Sequence, residues 1–134
     1  MQMDDADPRG RSKPTLLLVD DEERILSALR RCLRREGYEI LTAESVTRAL
    51  QVLDERRIDL VLSDHKMPGR SGVDLLREVR RLQPNAGRLL ITGWSQAVSE
   101  SDLEAVGVSA VIAKPWDDAE LKQCLRDALS ASAR

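Results

Sequence analysis

The sequence predicts a three-layer α/β domain, a parallel sheet of five strands with helices on both faces. Three observations carry this expectation. Five short apolar segments recur along the chain: Thr15–Asp20, Tyr38–Thr42, Ile58–Ser63, Arg88–Thr92 and Ser109–Ala113. The stretches between them space their apolar residues in helical fashion rather than alternating them. Four of the segments lead into polar groups, namely Asp20-Asp21, Asp64, Thr92 and Lys114. In a parallel sheet those ends share one edge, the edge at which open α/β folds bind ligands. Strands alternating with amphipathic helices also imply right-handed crossovers.

Each element has its own signals. Met1–Lys13 carries Asp, Pro, Arg, Gly and Ser without periodicity and reads as a mobile tail, leaving 14–134 as one domain. Thr15–Asp20 is a buried strand ending in acid. Asp21-Glu22-Glu23 opens a helix to about Glu36, with Ile25, Leu26, Leu29, Cys32 and Leu33 on one side. Acids in its first turn and Arg34-Arg35 in its last suit the helix dipole, and Gly37 is a natural stop. Tyr38–Thr42 is the second strand. Ser45 caps a helix striped by Val46, Ala49, Leu50 and Leu53.

Ile58–Ser63 is apolar enough for a strand covered on both faces, and Asp64 follows it. Pro68-Gly69 then signals a turn. A helix from about Val73 to Leu82 buries Leu75, Leu76, Val79 and Leu82, and Pro84-Asn85 ends it. Arg88–Thr92 is the fourth strand, followed by Gly93. Gln96–Val106 has weak helical periodicity. Ser109–Ala113 is a short fifth strand, broken by Lys114-Pro115. Asp117 with Glu120 forms a capping box for a last helix striped by Leu121, Cys124, Leu125, Ala128 and Leu129.

Composition narrows the function classes. At 134 residues the chain suits a single domain. A net charge of −2 gives no general attraction to nucleic acid or to acidic membranes. No apolar run approaches the ~20 residues of a membrane helix, and no signal peptide is evident, so a cytoplasmic location is expected. Aromatic residues make up 2% and Phe is absent, so the core must be aliphatic. Cys32 and Cys124 read as buried reduced thiols. The single histidine, His65, reads as an exposed loop residue, since a lone His makes a poor metal site. Trp116 reads as packing at the start of the last helix. Arg24, Arg30, Arg31, Arg34 and Arg35 read as a solvated face, with docking to an acidic patch on a partner as the alternative.

The chemistry gathers around Asp64. Sequence alone leaves the strand order open. With the order 2-1-3-4-5, Asp20, Asp21 and Asp64 meet in one crevice. Three crowded carboxylates repel one another, and one would take up a proton unless cations intervene. A hard divalent cation such as Mg²⁺ (or Mn²⁺) and the Lys114 ammonium both meet that need. The set suits phosphoryl transfer onto a carboxylate, with Asp64 as nucleophile. Asp21 and Asp64 would hold the ion, Asp20 would orient it, and Lys114 would pair with a phosphoryl oxygen. The Thr92 hydroxyl would bond the phosphate, and Gly93 leaves room beside it.

Four motifs in order, Leu17-Leu18-Val19-Asp20-Asp21-Glu22, Ser63-Asp64-xx-Met67-Pro68-Gly69-xx-Gly72, Thr92-Gly93 and Lys114-Pro115, resemble the receiver domain of two-component response regulators (CheY-like). The resemblance covers about Pro14–Leu129. It implies a flavodoxin-like (βα)5 fold with strand order 2-1-3-4-5. It implies phosphotransfer from a sensor histidine kinase, or a histidine phosphotransfer protein, to Asp64. It further implies Mg²⁺ bound by Asp21, Asp64 and the backbone carbonyl of Lys66, and a cis bond before Pro115. Such a domain is a signalling phosphoacceptor rather than an enzyme. It promotes only its own phosphoryl transfer and dephosphorylation, and acts on an output domain or effector outside this chain. Direct contact with nucleic acid or membrane is not expected, and a weak homodimer is compatible with the resemblance.

One departure stands out. Many receivers carry an aromatic residue three before the lysine, and here that position is Val111. Activation is therefore expected to pass through Thr92 and Gln96–Val106 without an aromatic rotamer change. Lys66 and Trp94, two residues after Asp64 and Thr92, flank the site at positions that vary in the family and affect phosphate lifetime. The run Lys114-Pro115-Trp116-Asp117-Asp118-Ala119-Glu120-Leu121 resembles receivers attached to cyclic-di-GMP phosphodiesterases or hybrid kinases.

A receiver-like binding module that is never phosphorylated is disfavoured by the complete set of acids with Thr92 and Lys114. A haloacid-dehalogenase-type phosphatase would place its nucleophile after the first strand in an Asp-x-Asp pattern, whereas Asp20 and Asp21 are adjacent. A flavodoxin would meet its FMN phosphate after the first strand, where Asp20-Asp21-Glu22-Glu23 would repel it.

Overall fold

A computed structural model of the chain describes residues 13–93 and 98–132. The expected tail up to Ser12, Trp94 and the first residues of the Gln96–Val106 segment lie outside the described residues. Ten elements alternate: β1 (Thr15–Val19), α1 (Glu23–Leu33), β2 (Glu39–Ala43), α2 (Val46–Glu55), β3 (Leu60–Asp64), α3 (Gly72–Leu82), β4 (Gly87–Gly93), α4 (Glu100–Val106), β5 (Ala110–Lys114) and α5 (Asp118–Ser132). All strand pairs are parallel, in the order β2-β1-β3-β4-β5. This is the flavodoxin-like (βα)5 architecture.

Strand residues alternate between two aliphatic cores. Leu17, Val19, Val61 and Leu90 face the side covered by α2, α3 and α4. Leu16, Leu18, Leu60, Leu62, Leu89 and Ile91 face the side covered by α1 and α5. With both faces covered, the central strands are mostly apolar, and β1 and β3 are buried along their whole length, including Thr15, Ser63 and Asp64 at their ends. Among the described residues no helix is long and apolar enough to cross a membrane.

Local chemistry starts and stops the helices. Ser45 Oγ accepts from the Arg48 amide at 3.0 Å. Ser71 and Asp74 form a reciprocal capping box at the start of α3. Asp117 Oδ2 accepts from the Glu120 amide at 3.0 Å, which caps α5. Gly37, at φ +84°, turns the chain from α1 into β2, in the left-handed region that disfavours side chains.

Several expectations need correction. α1 ends at Leu33 rather than near Glu36, because Arg34–Gly37 form turns, and its last turn holds Arg30 and Arg31. β2 and β5 are each shifted one residue along the chain. Ile58 is buried ahead of β3 rather than in it, and its amide is taken by Gln83 Oε1 at 2.8 Å. Leu82 is 40% exposed, since α3 ends there beside an open groove between α2 and α3. α4 begins only at Glu100, where Ser99 caps it. Cys32 and Cys124 are free thiols but half-buried, on the flanks of α1 and α5. His65 is half-buried rather than exposed, pinned by its backbone: its amide donates to Ile91 and its carbonyl accepts from Gly72.

Candidate functional site

The strand order brings the ends of β1 and β3 side by side, with Val19 paired to Ser63. The next residue on each chain is an acid. Asp20 and Asp64 are 1% and 4% exposed, and Asp21 beside them is open to solvent. Asp20, Asp21 and Asp64 each offer a carboxylate oxygen, and these oxygens lie within 4.8 Å of one another. From β5, the Lys114 ammonium reaches Asp64 Oδ1 at 2.8 Å and Asp20 Oδ2 at 3.5 Å. The Lys114–Pro115 peptide bond is cis.

Electrostatics follow from this crowding. Burial pushes the Asp20 carboxyl up to about 6, with Asp64 and Asp21 adding repulsion; the Glu22 amide and Lys114 oppose the shift. The Glu22 amide donates to Asp20 Oδ1 at 2.8 Å. Burial works against the charge of Lys114, yet Asp64 and Asp20 together hold its pKa above the ordinary lysine range. Asp64 Oδ1 is fully buried and receives no well-directed hydrogen bond. Its close neighbour is the Lys114 cation, so the carboxylate retains unused acceptor capacity. Clustered carboxylate oxygens with a poorly satisfied buried member suit a hard divalent cation such as Mg²⁺.

Three further contacts hold the Asp64 backbone. Ser63 Oγ donates to the Asp64 carbonyl at 2.8 Å. The Gly72 amide donates to His65 O at 2.7 Å. A Cβ at Gly72 would stand 2.3 Å from the Asp64 carbonyl oxygen and 2.8 Å from Leu90 Cδ1. The absent side chain thus lets the start of α3 close against the end of β3. Gly72 belongs to the motif Ser63–Gly72, but the motif itself does not reveal this close approach. A glycine that opens a helix just after an acid-bearing turn was the available signal. The Ser63 contact had no such signal.

The remaining expected residues divide. Thr92 is half-buried near the carboxyl end of β4 and pairs with Ala113, while Gly93 pairs with Lys114. Both therefore share the edge that carries Asp64. Lys66 is exposed. Val111 is 45% exposed on the edge strand. Trp94 lies outside the described residues. His65 Nδ1 is buried without a hydrogen-bond partner, a feature the sequence did not foretell.

Comparison with known proteins places the fold in a family. Residues 16–126 match the family described as response regulator receiver domain. The hydrogenase transcriptional regulatory protein HoxA of Bradyrhizobium diazoefficiens is 37% identical over 116 residues, covering 86% of this chain and 24% of that protein. The transcriptional regulatory protein GlrR of Escherichia coli is 36% identical over 118 residues, covering 88% of this chain and 27% of that protein. The chain therefore spans about a quarter of the length of these regulators. Among solved structures, the signal receiver domain of an HD domain-containing protein from Pseudomonas fluorescens superposes with a TM-score of 0.83 at 34% identity. That match covers 90% of this chain and 98% of the other.

Proposed function

Because the chain belongs to the response regulator receiver domain family, we propose that it accepts a phosphoryl group on Asp64 from a phosphohistidine donor. The observation that carries this reading is the ion pair of Lys114 with Asp64 at 2.8 Å, beside the clustered oxygens of Asp20, Asp21 and Asp64. In the transfer, an Asp64 carboxylate oxygen bonds to phosphorus as the phosphorus–nitrogen bond of the donor breaks. The freed imidazole nitrogen takes a proton, and the product is an aspartyl phosphate.

The residues act by positioning and by balancing charge. Lys114 is held at the site by both buried acids and can follow the charge from the carboxylate to a phosphoryl oxygen. Thr92, on the same sheet edge, offers a hydroxyl to the incoming group. Ser63 and Gly72 fix the backbone from which Asp64 projects. Asp20, Asp21 and Asp64, with the Lys66 carbonyl, would hold Mg²⁺, which when bound supplies charge neutralisation for the transferring group.

Receiver domains interact with histidine kinases, and the proposed donor is such a kinase or a histidine phosphotransfer protein. An output domain or separate effector would read the modified state. The HoxA and GlrR regulators carry most of their length outside the matched region, and the Pseudomonas neighbour comes from an HD domain-containing protein.

Incubation with acetyl phosphate tests the proposal by intact mass. One added phosphoryl group that requires a divalent cation and is lost in Asp64→Asn supports it. A folded chain that takes no adduct under fast quenching would instead be an unphosphorylated binding module.

A further inference from the structure

Two arginines from different elements close over the C-terminal end of α4. Arg88 of β4 donates from Nε to the carbonyls of Val106 at 2.9 Å and Gly107 at 3.2 Å. Its Nη1 donates to Pro84 at 3.2 Å and Ala86 at 3.0 Å, in the segment between α3 and β4. Arg80 of α3 donates to the carbonyl of Ala105. Together they take three successive carbonyls at the end of α4.

A helix end carries unpaired carbonyls and partial negative charge, so cations are favoured there. α4 has no basic residue in its own last turn, and both cations come from outside. Burial and the nearby Arg80 charge lower the pKa of Arg88, so the two guanidinium groups are crowded against their own repulsion. Gly107, left-handed at φ 64°, closes the turn, with Arg88 Nη2 3.0 Å from where a Cβ would stand.

The other end is held differently. Ser99 Oγ accepts from the Asp102 amide at 3.1 Å, and Ser99–Asp102 are all exposed. Val106 is the one fully buried residue of α4, with Leu103 partly buried. A helix of seven residues depends on its tertiary anchors rather than on its own propensity.

We propose that Arg80 and Arg88 pin the C-terminal end of α4 to α3 and the start of β4. That end is a fixed pivot, and the Ser99–Asp102 end, which follows Thr92 along the chain, is the end that moves. The pivot stands on the geometry of the unmodified chain. Movement on modification rests on the reading of Asp64 as phosphoacceptor.

Residue-resolved hydrogen exchange on the full chain tests this. The Gly107 and Val108 amides bond to the carbonyls of Glu104 and Leu103. They are expected to exchange more slowly than the Leu103 amide, which bonds to Ser99. Arg88→Leu should speed Gly107 and Val108 by about tenfold or more, with β1 and β3 still protected. Arg80→Ala alters an exposed side chain and should give a smaller acceleration at the same amides. It keeps the test decisive should Arg88→Leu not fold. Unchanged exchange at Gly107 and Val108 in Arg80→Ala, or in folded Arg88→Leu, overturns the pivot.

In chain shown by mass to carry the phosphoryl group, change confined to Val98–Leu103 supports the proposal. Equal change at Gly107 and Val108 overturns it. Absence of the adduct counts against the phosphoacceptor reading alone, because the unmodified comparison still decides the pivot.

Discussion

The Lys114 ammonium sits 2.8 Å from the Asp64 carboxylate although their strands, β5 and β3, are separated by β4. The lysine side chain bridges the end of the intervening strand, close to Thr92 and Gly93 in sequence register. It also lies 3.5 Å from Asp20, so one cation serves two buried acids. Removing it would leave both without their cation.

Lys114→Met is therefore expected to lower stability at pH 7 in EDTA by about 1–3 kcal/mol, discounted for the partial exposure of the ammonium. Lys114 has a raised folded-state pKa, so its contribution is fully present at neutral pH and is lost only as pH rises through that value. Towards acid, the deficit of the variant should shrink near pH 6, where Asp20 takes up a proton. Urea titrations of both proteins between pH 5 and pH 8 check this; a deficit independent of pH would count against it.

Asp20 shares the sign of that pH dependence, in a lower window, because its folded-state pKa is raised too. Burial raises its carboxyl from the ordinary 3.8 to about 6 in the folded chain. Between those values the folded state binds more protons than the unfolded one. The contribution of this group therefore falls as pH rises from 4 through 6. Asp20→Asn keeps an oxygen acceptor for the Glu22 amide and removes the buried charge. It should stabilise the metal-free chain at pH 7 by roughly 2–3 kcal/mol, with no advantage near pH 4. It should also weaken the stabilisation given by added Mg²⁺. Thermal melts in EDTA and in Mg²⁺ test both halves, and a lower Tm for the variant in EDTA at pH 7 would contradict the first.

Gly72 and Gly69 should respond differently to alanine. At Gly72 the new Cβ would meet the Asp64 carbonyl at 2.3 Å, so α3 must shift away from the site. A cost of about 2–4 kcal/mol is expected, as for overpacking against backbone. At Gly69 the space is open but φ is +84°, and the cost should be about 1 kcal/mol. Chemical denaturation of the two variants gives the comparison, and equal losses would contradict it.

Gln83 ties the end of α3 to the segment between α2 and β3. Its Oε1 accepts from Ile58, and its Nε2 donates to Leu53 at 2.9 Å and to Arg56 at 2.8 Å. Gln83→Ala leaves those groups unpaired in a half-buried place. A loss of about 1–3 kcal/mol is expected. Denaturation of the variant measures it, and a loss below about 0.5 kcal/mol, typical of an ordinary surface site, would contradict it.

Much of this architecture was legible because binary pattern and edge chemistry agree. The runs at Leu16–Val19 and Leu60–Leu62 are apolar on both faces, as a strand covered on both sides requires. The acids after them then mark the edge that binds. Ser45 and Asp117 announced helix starts by side-chain chemistry that acts within three residues. What sequence did not reveal depends on residues far apart in the chain. Arg88 reads as a strand residue, yet its guanidinium serves carbonyls eighteen and nineteen residues on. The exposure of Leu82 depends on how α2 and α3 diverge. His65 is half-buried where backbone bonds tie it to β4 and the start of α3, with its Nδ1 itself buried. The start of α4 was blurred because its few apolar residues form too short a stripe.

Locating the phosphoryl group tests the assignment of Asp64 as phosphoacceptor. Chain treated with acetyl phosphate and Mg²⁺ would be reduced with borohydride, which converts an aspartyl phosphate to homoserine, and then sequenced by tandem mass spectrometry. Homoserine is expected at position 64, and much less of it in Lys114→Met. Homoserine at Asp20, Asp21 or another acid, or none in a folded chain, would contradict it.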